Sequence, residues 1–172
     1  MSDKKAKDGE HGALALLALA SLEDDRLEVM RYSETNVPDM GQDIFLTATN
    51  EWVQKTGKLT NPDYKPPEKF SALPGDSVRR VRVDVKTSKV IDKTLIQKAG
   101  ADIKKHPTTD THIILGGRLT SASQKELDQV RSDYPSKEVL HISDDGIRAL
   151  ASEVGMPIEK LFPHLIDEKK DK

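Results

Sequence analysis

At 172 residues, with 35% hydrophobic and 33% charged side chains, the chain is long enough to bury one core of ordinary size. Twenty-seven basic against 29 acidic residues give a net charge of −2, so bulk electrostatics will not drive it onto nucleic acid or an anionic membrane, and any such partner must meet a local patch. The absence of cysteine excludes disulfides, thiolate metal sites and thiol nucleophiles.

Residues 1–8 and 167–172 read as short charged tails flanking a single domain over 9–166. The apolar run at 12–22 resembles a signal-peptide core. Asp3, Asp8 and Glu10 dilute the basic region before it, however, and it is too short to span a membrane. It therefore predicts a buried first helix over about 10–24, in a cytoplasmic protein with no membrane partner. "LEVMRYSE" and "DIFLTAT" alternate as two strands of a hairpin, joined by turn chemistry at Asn36, Pro38 and Gly41. Residues 50–77 carry Pro62, Pro66, Pro67 and Pro74 and show no sustained period, so a long Pro-rich insertion leaving the sheet is expected there. Trp52 within it reads as a packing anchor more readily than as a base-stacking platform.

A third strand is expected over 78–88. A helix over 91–105 follows, with Ile91, Leu95, Ala99 and Ile103 on one face. "THIILGG" predicts a buried strand, "SASQKELDQVRSDYP" a helix capped by Ser121 or Ser123, and "KEVLHIS" a last strand. "DDGIRALASEVG" predicts a helix ended by Gly155 and Pro157. Late strands in crossover units must run parallel, so the expected fold is α/β, a mixed central sheet with helices on both faces. The glycines at 116–117 lack the Lys-Ser/Thr of a phosphate loop, and His11, His106, His112, His141 and His164 lack zinc-ligand spacing.

In "RRVRVDVKTSK", a period of two puts Asp84 and Lys86 on one strand face. That face is either a solvated charged surface or the start of a site for phosphodiester hydrolysis. Such a site needs carboxylates to hold a hard divalent cation and a lysine to orient water or neutralise developing charge. Asp43 opens the preceding strand, and antiparallel pairing of the two strands would bring it near Asp84. From Arg79 to Lys105 nine basic residues face three acidic ones, a local net charge of +6. Arg79, Arg80, Arg82, Lys89, Lys93 and Lys98 are the candidate phosphate-backbone contacts in this segment.

The ordered set "PDMGQDIFL", "DVK", "IQKAG", "IILGGRLTSASQKEL" and "LHISDDGIRALASEVG" resembles the PD-(D/E)XK nuclease superfamily, in its Mrr-type and Holliday-junction-resolvase branches. The resemblance spans roughly residues 10–155 and implies a restriction-endonuclease-like fold and a metal-dependent endonuclease acting on DNA in preference to RNA. It implies Asp43, Asp84 and Glu10 as ligands of Mg2+, with Mn2+ able to substitute, and Glu23 and Glu28 stand as alternatives to Glu10. Lys86 would orient the attacking water, and Gln97 would position Lys86 or a phosphate. Resolvase-like relatives imply a homodimer, and an ATPase or other protein that delivers substrate is a compatible partner. The rival reading is a non-catalytic nucleic-acid-binding or protein-interaction subunit on the same fold.

Overall fold

The computed structural model describes residues 28–32, 43–86, 88–153 and 155; the expected first helix, the 33–42 turn, both tails and Pro157 lie outside them. Among the described residues five strands form the central sheet: β1 (Glu28–Tyr32), β2 (Asp43–Thr49), β3 (Val78–Val85), β5 (Thr111–Leu115) and β7 (Glu138–Ile142), in the spatial order β1-β2-β3-β5-β7. β1, β2 and β3 are antiparallel, whereas β3, β5 and β7 are parallel. Two short strands, β4 (Val90–Ile91) and β6 (Arg118–Leu119), pair separately. The chain is thus an α/β protein with a mixed central sheet, and helices cover it from both sides.

The alternation of β3 sorts its side chains. Val81, Val83 and Val85 join Ile44, Leu46, Ile113, Leu115, Leu140 and Ile142 in a core closed by helices α1 (Asn50–Thr60) and α5 (Asp144–Glu153). Ile114 and Val139 point the other way, into a second core under helices α3 (Lys93–Lys105) and α4 (Ser121–Asp133). Gly100 lets those two helices approach closely, since a Cβ there would stand 3.1 Å from Val130 Cγ2.

Two helix starts differ from the sequence expectation. Ile91 pairs in β4, and α3 begins after Asp92, whose Oδ1 accepts from Leu95 N at 2.9 Å; the buried stripe is therefore Ile96, Ala99, Gly100 and Ile103. Helix α4 is capped by Thr120, with Ser123 reciprocating as a capping box. The two serines considered as caps lie inside the helix.

The larger correction concerns 50–77. Thr49 Oγ1 accepts from Trp52 N at 3.1 Å and starts α1, which buries Trp52 and Val53 in the first core. A short helix α2 (Glu68–Ser71) buries Phe70. Asn50 ties the returning chain down, its Nδ2 donating to Phe70 O at 3.0 Å and Leu73 O at 3.2 Å. Prolines here shape the return of a packed helix, and Trp52 acts as the packing anchor. At the outer edge of the sheet, Arg131 Nε donates to Val139 O of β7 at 3.0 Å.

Trp52, only 2% exposed, should therefore carry global stability. Trp52→Ala is expected to lower the free energy of unfolding by about 3–5 kcal/mol. Chemical denaturation checks this, and a loss well below 1 kcal/mol would place α1 outside the cooperative core.

Candidate functional site

The antiparallel register sets Asp43 directly across from Asp84. Opposed antiparallel positions have Cα atoms about 4.5–5.5 Å apart, so these two acidic positions are immediate neighbours. They lie at the pole where the parallel strands β3, β5 and β7 end, the end of an open α/β sheet that favours ligand sites.

Asp84 is 3% exposed and Lys86 9%. Lys86 Nζ stands 3.2 Å from Asp84 Oδ2, and Arg82 Nη1 stands 3.8 Å from the same oxygen. Both are ionic contacts and neither is a hydrogen bond, the Arg82 one being too long, so Asp84 Oδ2 is buried yet accepts no hydrogen bond. A hard anionic oxygen in this state keeps coordination capacity, which suits a small divalent cation. Among the described residues no group of three or more His, Asp or Glu gathers; Glu10 and Glu23 lie outside them. Glu28 is paired across from Thr47, four strand positions or roughly 13 Å from Asp43, and so belongs to the other end of the sheet.

The glycines after β5 fasten Lys86. Lys86 N donates to Leu115 O at 2.8 Å, and Gly116, at φ 112°, lies so close that a Cβ would fall 2.3 Å from Lys86 O. Gly117 N donates to Asp144 Oδ1 at 2.8 Å, joining this turn to α5. His141 Nε2 meets Gly116 O at 3.0 Å, and burial holds its pKa below the ordinary value. The pair read as a failed phosphate loop is thus the backstop of the lysine.

Gln97 sits on the exposed side of α3, where its Nε2 donates to Glu126 Oε1 of α4 at 3.2 Å. The basic segment is divided. Arg80, Lys89, Lys93 and Lys98 are exposed, but Arg79 and Arg82 are each 1% exposed and are not surface contacts. Arg79 pairs with Glu138, bonds Asn50 Oδ1 and Thr111 Oγ1, and lies 3.9 Å from the Phe70 ring centroid. Glu138 also accepts from Tyr64 Oη at 2.7 Å, and burial, then Glu138, raise the Tyr64 pKa. A buried guanidinium is retained only with such partners. The other internal arginine, Arg82, donates from Nε to His112 Nδ1 at 3.0 Å.

Sequence reasoning missed this Arg82–His112 pair. The two positions are register partners on β3 and β5, a relation the linear sequence does not display. With the two geometries in view, comparison with known proteins gives a single result: no family model, curated protein or solved structure matches the chain.

His112 yields a pH prediction. Burial, and then the Arg82 charge, push its pKa from about 6.5 down to about 3. The unfolded chain therefore binds one more proton than the folded one between these values, so this contribution is complete above pH ~6.5 and is lost as pH falls towards 3. The loss should reach at most ~1.4 kcal/mol per pH unit from this ring. Unfolding free energies at stepped pH should show a shallower acid slope in His112→Gln protein. An equal slope would mean that the ring titrates normally.

Proposed function

We propose that the chain is a metal-dependent endonuclease of the restriction-endonuclease-like type, hydrolysing phosphodiester bonds in DNA in preference to RNA. The observation that carries this reading is the register partnership of Asp43 with Asp84, with the Lys86 ammonium 3.2 Å from the Asp84 carboxylate. Asp43 and Asp84 would hold Mg2+ or Mn2+, and Glu10 is the proposed third carboxylate. A bound cation supplies Lewis acidity and a water of lowered pKa. The protein's own part is positioning. The Gly116 turn fixes the backbone of Lys86, whose ammonium orients water or offsets charge developing on the phosphoryl group.

Duplex backbone binding falls to Arg80, Lys89, Lys93 and Lys98, because Arg79 and Arg82 are internal. The binding surface is therefore weaker than the segment's formal charge implies. A non-catalytic subunit that binds nucleic acid or protein is the second reading, favoured by the lack of a three-carboxylate cluster among the described residues. A homodimer and a substrate-delivering ATPase are compatible with either reading, as is a cytoplasmic location.

Cleavage of plasmid and branched duplexes with Mg2+ or Mn2+ separates the two. Asp43→Asn, Asp84→Asn and Lys86→Ala should each reduce turnover by at least ~100-fold, the scale set by loss of one positioned electrostatic group. Wild-type rates in folded Asp84→Asn protein would overturn the assignment. Metal-independent binding without cleavage would favour the second reading.

Binding has its own test. Neutralising Arg80, Lys89 and Lys93 should flatten the salt dependence of duplex affinity, by roughly 0.9 in log–log slope for each phosphate left without its cation. An unchanged slope would locate the interface elsewhere.

A further inference from the structure

Arg82 and Asp84 share a strand face, and a guanidinium so close to a carboxylate ordinarily closes a bidentate fork on it at about 2.7–2.9 Å. Here Arg82 Nη1 stops at 3.8 Å, and the Asp84 oxygen it approaches accepts no hydrogen bond. One restraint lies on the other side of the guanidinium, beside the other contacts that Arg82 makes. His112, the register partner of Arg82 on β5, takes the Arg82 Nε–H on its Nδ1 at 3.0 Å. A ring that accepts at Nδ1 carries its proton on Nε2 and is neutral, so it fixes the guanidinium without cancelling its charge.

A purely structural histidine explains this poorly. His112 Nε2 is buried with no hydrogen-bond partner, and an unsatisfied buried N–H costs a fold stability that an apolar ring of similar size would not.

We infer that His112 is a positioning residue that holds Arg82 away from Asp84, so that Lys86 is the nearer of the two cations and the buried Asp84 Oδ2, which accepts no hydrogen bond, keeps lone pairs for a divalent cation. The inference rests on the reading of Asp84 as a metal ligand. A cation near 4 Å leaves the lone pairs of the carboxylate available. The same cation closed into a fork would compete with the metal for both oxygens.

Titration calorimetry with Mn2+ alone, on the full chain, tests this without requiring turnover. Wild type should bind, and Asp43→Asn should bind more weakly. His112→Phe should bind about 10–100-fold more weakly, the range typical when a partner behind a metal ligand is removed. Adding Arg82→Met to His112→Phe should bring affinity back towards wild type, a non-additivity expected only if His112 acts through Arg82.

Folded His112→Phe protein binding Mn2+ as tightly as wild type would overturn the inference, as would a double variant no better than His112→Phe. If wild type binds no Mn2+, or Asp43→Asn binds equally well, the metal reading itself has failed and the inference falls with it. A measurement on wild type covers the case in which His112→Phe does not fold. The Arg82 Nε–H resonance should remain protected from solvent exchange with and without Mg2+, and rapid exchange in both states would overturn the proposal.

Discussion

Strand β3 must satisfy two incompatible surroundings, and the rest of the molecule follows from how it does so. It lies at the junction of the antiparallel and parallel halves of the sheet, paired on one side with β2 and on the other with β5. Its valines, at 81, 83 and 85, belong to a dry core. The alternate positions carry Arg82, Asp84 and Lys86, nearly as deeply buried. A slip of one residue would exchange the two sets and drive charges among the core valines, so register is specified from both faces. That lock sets Asp43 across from Asp84 and His112 across from Arg82.

The elements legible in the sequence were those with a clear period. "DIFLTAT" is β2 to the residue, whereas the strands expected over 78–88, 111–117 and 137–143 are present but shorter, as Val78–Val85, Thr111–Leu115 and Glu138–Ile142. Helix α1 was not legible, because its neighbouring prolines and low apolar content masked a helix whose burial is concentrated in Trp52 and Val53. Among candidate residues, the adjacency of positions 43 and 84 followed from the sequence only on the condition that the second and third strands pair antiparallel, as they do. The fates of the arginines did not follow. Whether an arginine is a surface contact or an internal cation depends on a counter-ion distant in sequence, as Glu138 is from Arg79. Local charge counting treats both cases alike.

The sheet has two chemically different ends. At one, Asp84, Lys86 and the Gly116–Gly117 turn leave a carboxylate oxygen without a hydrogen bond. At the other, Arg79, Glu138, Asn50, Thr111 and Tyr64 interlock. Buried ion pairs of this second kind add little net stability, because desolvation offsets their attraction, but removing one partner strands the other. Their effect is to join α1, the 61–67 return and three strands into one unit. The end with spare valence is thereby mounted on a rigid base.

Arg131 has a different consequence. By donating to Val139 O, it occupies a carbonyl of β7, the last strand on that side of the sheet among the described residues. Exposed strand edges act as templates on which foreign chains extend a sheet. A passing strand would have to evict a half-buried guanidinium before it could add here, so this flank resists runaway polymerisation. Parallel pairing of the kind β3, β5 and β7 make is in general slower to form than local pairing, so a blocked edge has its greatest value before such a sheet is complete.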